Sequence, residues 1–206
     1  MPDETTKRTL GVLLYPDFEL LDVFGPVEMF GNLKDHVTVL MVAENAGPVE
    51  SFQRTKVLAD HGLDDCPKLD LLLVPGGWGM LQQLENERVL TWLRERASEV
   101  EIVMSVCSGS GILARAGLLD GRPATTNKQS YDTIVAQGPK VDWIREARWV
   151  DDGDIVTSSG VSAGMDMALA VIERLYGADT AGMLANLTEY ERQTDPTKDP
   201  FAKIWT

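Results

Sequence analysis

Cysteine and histidine are the scarce residues of this chain, and their scarcity limits its chemistry. Two cysteines in 206 residues, Cys66 and Cys107, are too few for a disulfide framework, and reduced thiols suit a cytoplasmic location. The two histidines, His36 and His61, make no metal-ligand spacing with the cysteines, so no metal site is expected. Positive charge is also short, with 19 Lys and Arg against 32 Asp and Glu, a formal net charge of −13. That balance repels phosphate backbones and anionic lipid, which argues against nucleic acid and membrane surfaces as partners. No uninterrupted apolar run reaches the roughly 18 residues that a membrane span needs. Repeats and low-complexity segments are absent too. The opening Met-Pro-Asp-Glu-Thr-Thr-Lys-Arg carries acidic residues and leads straight into a strand-like run, unlike a signal peptide.

What the chain does have is apolar content, 44%, enough to bury one sizeable core. A single domain over residues 1–206 is expected, with its core at about 9–190 and a polar tail at 191–206. Apolar runs predict strands at 9–15, 37–43, 69–74 and 102–106, with a short one near Ala124 and Thr125. Residues 47–60 read as a hairpin or edge excursion turning near Gln53-Arg54, and 148–150 with 154–157 as a second hairpin. Helical periodicity covers 19–32, interrupted by Gly25-Pro26, and then 86–100, 108–116, 128–136, 161–176 and 179–190. Strands and helices alternate, and the strands are nearly continuous apolar runs. That pattern predicts a doubly wound α/β fold, a mostly parallel sheet with helices on both faces.

Residues 101–117 organise the rest. The β-branched run 102–106 leads through Cys107 into Ser108-Gly109-Ser110-Gly111 and a helix closed by Gly117. Strand, nucleophile, small residue two positions on, helix is the layout of a nucleophile elbow, although Ser105 stands where the G-x-S-x-G pattern has its first glycine. The start of the helix would aim free N–H groups at the thiol and favour thiolate, whereas a cysteine at a strand end is otherwise small apolar packing. Asp22, in the first turn of a helix, is otherwise a residue complementing the helix dipole. Gly76-Gly77, beyond the strand at 69–74, could line an oxyanion site or form an ordinary turn. Trp78 beside them is equally a packing residue or a pocket wall. The helix beginning near Val161, after Ser159-Gly160, again presents free N–H groups. Each of these positions follows a predicted strand, so they can converge beyond the carboxyl ends of the sheet.

With these motifs in place the sequence resembles the ThiJ/PfpI superfamily, with its glutamine amidotransferase-like, flavodoxin-like fold. The match runs from about residue 11 to 176 and includes Leu-Asp-Val-Phe-Gly-Pro (21–26), Val-Pro-Gly-Gly (74–77) and Ser-Val-Cys-Ser-Gly (105–109). It continues through Ala-Gly-Leu-Leu-Asp-Gly-Arg-Pro-Ala-Thr-Thr (116–126) and Ser-Gly-Val-Ser-Ala-Gly-Met-Asp (159–166), and is most similar to the isonitrile hydratase branch. The resemblance implies Cys107 as nucleophile, Asp22 as its acid/base partner and backbone N–H groups from Gly77 and Ser108 near the reacting atom. Gly76, Trp78, Asn127, Gly160 and Val161 complete the expected substrate site. It further implies a small-molecule substrate, a homodimer and no cofactor. Many relatives carry histidine where this chain has Asn127, which cannot relay a proton, so protease-type Cys-His chemistry is not expected. The competing readings are a redox sensor through oxidation of Cys107 and conversion of reactive carbonyls of the glyoxalase or deglycase type. A ligand-sensing domain of a transcription regulator is disfavoured, because the residues after Tyr190 leave no room for a DNA-binding module.

Overall fold

The apolar runs assemble as one sheet, with the fully buried segments at its centre. The computed structural model describes residues 7–205. The segment read above as unlike a signal peptide lies, for residues 1–6, outside the described residues. In chain order the elements are β1 (Arg8–Leu14), α1 (Leu20–Gly31), β2 (Val37–Ala43), β3 (Gly47–Glu50), β4 (Lys56–Ala59), β5 (Leu71–Val74), α2 (Met80–Gln83), α3 (Glu87–Ala97) and β6 (Ile102–Ser105). There follow α4 (Gly109–Arg115), β7 (Pro123–Ala124), α5 (Tyr131–Val135), β8 (Asp142–Trp143), β9 (Trp149–Asp151), β10 (Ile155–Ser158), α6 (Ala163–Tyr176), α7 (Ala178–Leu187) and a 3-10 turn at Pro200–Lys203.

The six-stranded sheet has the order β2-β1-β5-β6-β10-β9, parallel throughout except for β9 against β10. Every residue of β5, β6 and β10 is buried, as strands covered on both faces must be. With β3 and β4 set aside, this is the flavodoxin-like doubly wound order. The chain leaves β1 toward β2 on one side, while β5 lies on the other. The crevice between the carboxyl ends of β1 and β5 is therefore the topological switch point, and Asp22 and Gly76 follow those two strands.

Two local expectations are corrected. Helix α1 is not interrupted at Gly25-Pro26 but runs through Pro26. The proline removes one backbone donor, and packing compensates: a Cβ on Gly25 would come within 2.9 Å of Met165, and one on Gly164 within 3.4 Å of Pro26, so α1 and α6 are held in close approach. Helix α5 is shorter than the expected 128–136, because Lys128 and Asn127 use their side chains elsewhere. The hairpin β3–β4 forms as expected, with Arg54 at φ +68°, and leans on the β1–α1 turn through Asp17 N–H to Glu50 O (2.9 Å) and Phe52 N–H to Phe18 O (2.9 Å).

The segment after Tyr190 is polar in composition, yet it packs. Asp199 is buried there with Arg148, Asp166 and Lys128 in a charge quartet. Arg148 grips Asp166 through two nitrogens, each 2.6 Å from Oδ2, while Tyr190 O–H (3.1 Å) and Gln193 N–H (2.9 Å) donate to Oδ1. Asp199 lies 3.9 Å from Arg148 and 3.8 Å from Lys128, and it accepts the hydroxyl of Ser159. Lys128 donates to Thr125 Oγ1 (2.7 Å), Ala147 O (2.8 Å) and Thr126 O (3.1 Å). Burial draws its ammonium down to about 8, against the pull of Asp199. Buried charges persist only when paired and hydrogen-bonded in this way.

Candidate active site

The turn from β6 into α4 holds Cys107 at φ +56°. An L-residue in the left-handed region is strained by about 1–2 kcal/mol, and it persists only where its surroundings fix it. Here they do. Cys107 N–H donates to Ser159 O (3.1 Å), and Cys107 O accepts from Thr126 Oγ1 (3.0 Å) and Ser110 Oγ (3.1 Å). Glycine follows at 109 for a steric reason, since a Cβ there would sit 2.3 Å from Val74 O. Gly76 is equally constrained: its Cβ would fall 2.6 Å from Ser108 N and Oγ and 2.9 Å from Asp22 Oδ2. The turn after β5, the elbow and the carboxyl therefore meet across one bare Cα.

Asp22 is fully buried, supplied by the first turn of α1. Its Oδ2 accepts the Gly76 N–H (2.8 Å), while Oδ1 is buried without a hydrogen-bond partner. The Cys107 thiol lies beside this carboxyl, close enough for each group to shift the other. Burial pushes Asp22 up to about 8, opposed by the Gly76 N–H and assisted by the charge of Glu19. Tyr15, also buried, braces the neighbouring turn by donating to Pro75 O (2.7 Å).

The sulfur departs from expectation. Ser108 N–H, Val161 N–H and the Asn127 side-chain amide lie near enough to favour thiolate. Burial and then Asp22 nevertheless push the thiol well above its ordinary value. Helix α4, beginning at Gly109 and only seven residues long, does not offset the loss of solvent. Both members of the pair thus hold their protons more tightly than free groups do.

The other expected residues surround the pair. Cys107, Ser108, Gly77, Trp78, Asn127 and Val161 line one cavity of about 290 Å³. Trp78 is a wall at its mouth, 65% exposed and tilted against Phe52 with ring centroids 6.3 Å apart. Gly77 N–H, expected near the reacting atom, instead donates to Ser108 Oγ (3.1 Å). Asn127 Oδ1 accepts from Ser130 N–H (2.9 Å), which turns the amide nitrogen toward sulfur. Gly160 lies against that amide, and Gly76 and Asp22 stand behind the lining. Val161 is held at φ +37°. Neither histidine lines the cavity: His36 packs on Tyr176 at 5.4 Å and His61 lies 3.8 Å from Asp65. No cluster suited to a metal occurs among the described residues.

Sequence reasoning missed Glu19, Met80, Leu81, Gln129, Ser130 and Thr133, which complete the wall. Glu19, one helical turn before Asp22, carried a usable signal. Met80 and Leu81 sit on α2, too short to be placed from periodicity, while Gln129, Ser130 and Thr133 fall within the expected 128–136 helix, whose pattern does not show which face meets the cavity.

A strained thiol at the carboxyl edge of a parallel sheet, with a buried acid beside it, defines a cysteine-centred α/β protein of the nucleophile-elbow type. The chain belongs to the DJ-1/PfpI family, which it matches over residues 8–174. It is 37% identical over 183 residues to an isonitrile hydratase of Pseudomonas putida, covering 88% of this chain and 78% of that one. The HTH-type transcriptional regulator GbdR of Pseudomonas aeruginosa is 29% identical over 196 residues, 93% of this chain but 53% of the regulator. Among solved structures, a ThiJ/PfpI family protein from Pseudomonas syringae superposes with a TM-score of 0.84 at 30% identity, covering 94% of this chain and 83% of its own. No helix among the described residues is long and apolar enough to cross a membrane.

Proposed function

We propose that the protein is a cysteine-dependent enzyme of the isonitrile hydratase type, converting R–N≡C and water to the formamide R–NH–CHO. One observation carries this reading: a fully buried carboxyl with an unpartnered oxygen adjoins the strained thiol, and no imidazole lines the cavity. A protease or amidotransferase needs a base that can relay a proton to a leaving amine. Hydration of an isonitrile has no leaving amine, and one acid/base group suffices.

The reactive form is the pair with a single proton left. As Cys107 Sγ bonds to the isonitrile carbon, that proton resides on Asp22 and is then delivered to the same carbon, giving the thioimidate R–N=CH–S. Asp22, now a carboxylate, takes a proton from water as the water oxygen adds to the carbon. The carboxyl passes this proton to nitrogen, and the new hydroxyl gives its own to Asp22 as the C–S bond breaks. The formamide leaves with thiolate and protonated carboxyl restored. Asn127 and the N–H groups of Ser108 and Val161 stabilise the departing sulfur. The fully protonated pair is inactive, so turnover should rise as pH approaches the value near 8 at which Asp22 loses its proton.

The test is NMR detection of formamide from a small alkyl isonitrile, with wild type and Cys107→Ser, beside methylglyoxal and peroxide as competing reagents. Formamide from wild type alone supports the reading. Lactate from methylglyoxal, or stoichiometric Cys107 oxidation without any turnover, would move the function to the carbonyl or the redox class.

A further inference from the structure

The cavity has a charged side beyond the Cys107–Asp22 pair. Its one ionisable wall besides Cys107 is the Glu19 carboxylate, and no Lys, Arg or His lines it. Glu19 is held in place: Gln53 donates to its Oε1 (2.5 Å) while the carbonyl of the same Gln53 side chain accepts Leu20 N–H (3.1 Å). Trp78 and Leu81, 65% and 49% exposed, line the same cavity, with Phe52 behind the indole, and the backbone brings Trp78 near Glu19, since Gly77 pairs with Phe18 and Glu19 N–H donates to Gly76 O (2.8 Å). Three cations on adjoining segments are engaged elsewhere. Arg54 pairs with Glu50 (2.9 Å), Arg145 with Asp132 (3.7 Å) while stacking on Tyr131 (4.5 Å), and Lys128 is buried with Asp199.

We infer that Glu19 and Trp78 form a cation-accepting subsite at the mouth, so that the preferred substrate carries an ammonium-type substituent beyond the reacting carbon and carboxylate-bearing substrates are turned away. Building on the proposed function, this assigns the substrate class. A carboxylate and an indole lining one cavity attract a weakly hydrated cation by charge and by the ring quadrupole together. An anion meets the same carboxylate with no counter-charge on the walls. Since the protein as a whole is strongly acidic, the local contribution must be separated from the global field, which salt screens over about 8–10 Å.

The experiment uses two methanethiosulfonates of similar size, one bearing trimethylammonium and one sulfonate, reacting with Cys107 in a Cys66→Ser background and followed by intact mass. This readout does not depend on isonitrile turnover. The cation-to-anion rate ratio in the folded protein should exceed that in urea by about tenfold or more, and Glu19→Gln should lower it about five- to tenfold. Glu95→Gln, an equal change in net charge on the exposed face of α3, should leave the ratio within about twofold. Trp78→Ala should slow the cationic reagent by about two- to fivefold and leave the anionic one unchanged. A ratio equal in folded and unfolded chains, or equal effects of Glu19→Gln and Glu95→Gln, would overturn the subsite. Isonitriles bearing trimethylammonium or carboxylate then separate the two proposals. Selective labelling without formamide leaves the subsite and removes the hydratase; equal turnover of both isonitriles with unselective labelling does the reverse.

Discussion

Replacing Asp22 by asparagine should stabilise the protein while disabling it, and the stability gain should depend on pH. In the unfolded chain a carboxyl ionises near 3.8, whereas in the fold burial holds Asp22 protonated to about 8. The folded state therefore binds the extra proton, and stability from this group is complete below pH 3.8 and declines as pH rises toward 8. A gap of about four pH units at about 1.4 kcal/mol each makes the decline roughly 5–6 kcal/mol by pH 8. The amide of Asp22→Asn would not titrate. It can keep the bond from Gly76 N–H and present a donor to sulfur, at a burial cost of about 1–3 kcal/mol. The net expectation at pH 8 is a gain of roughly 2–5 kcal/mol, a rise in Tm of about 4–20 °C for a chain of this length. At pH 4 the two proteins should differ little, or the variant should be the weaker. Urea or thermal unfolding at pH 4, 5, 6, 7 and 8 measures both curves. Parallel curves, or a variant no more stable at pH 8 than at pH 4 relative to wild type, would refute the assignment of Asp22 as a carboxyl kept neutral by burial. Formamide production by the same variant should fall by about a hundredfold or more.

Other expectations follow from the same geometry. The kcat/KM for an isonitrile should rise about tenfold per pH unit below 8, and a flat profile from pH 6 to 8 would remove the shared proton from the mechanism. Iodoacetamide should label Cys107 ahead of Cys66, because Cys107 lines the cavity and Cys66 does not; a peptide map showing Cys66 labelled first would contradict this. Gly76→Ala should cost about 1–3 kcal/mol of stability by overpacking, and it should abolish turnover by displacing Asp22 or Ser108; an active, undestabilised variant would refute the close approach described.

The sequence made the sheet legible because its central strands are continuous apolar runs, with Pro16-Asp17 marking the end of β1 and glycines following β5, β6 and β10. It made Cys107 and Asp22 legible because both sit just beyond predicted strands. It could not show that Gly77 N–H is taken by Ser108 Oγ, or that the thiol is raised rather than lowered, since both depend on how deeply the elbow sinks into the core. Pro26 read as a break because a local rule was applied without the packing of α1 on α6 that overrides it. Glu19 went unnoticed because a carboxylate in that position also reads as helix-start chemistry. Most hidden was the quartet of Lys128, Arg148, Asp166 and Asp199, drawn from four separate segments with no common spacing.

That quartet is electrically balanced, two carboxylates against two cations, and it stands one residue away from the elbow. Ser159 accepts Cys107 N–H on its carbonyl and gives its own hydroxyl to Asp199, so a single side chain and its backbone separate the balanced charges from the nucleophile. With both cations charged the sum is zero, and the groups that shift the thiol are its own burial, Asp22, Ser108, Val161 and Asn127. Asp199→Asn would remove the carboxylate that holds up the Lys128 ammonium, which burial already draws down to about 8, so the lysine would give up its proton and the remaining Arg148–Asp166 pair would stay neutral. The polar segment beyond Tyr190 thereby reaches the elbow through one serine, as a neutral brace on its backbone that contributes no wall to the cavity.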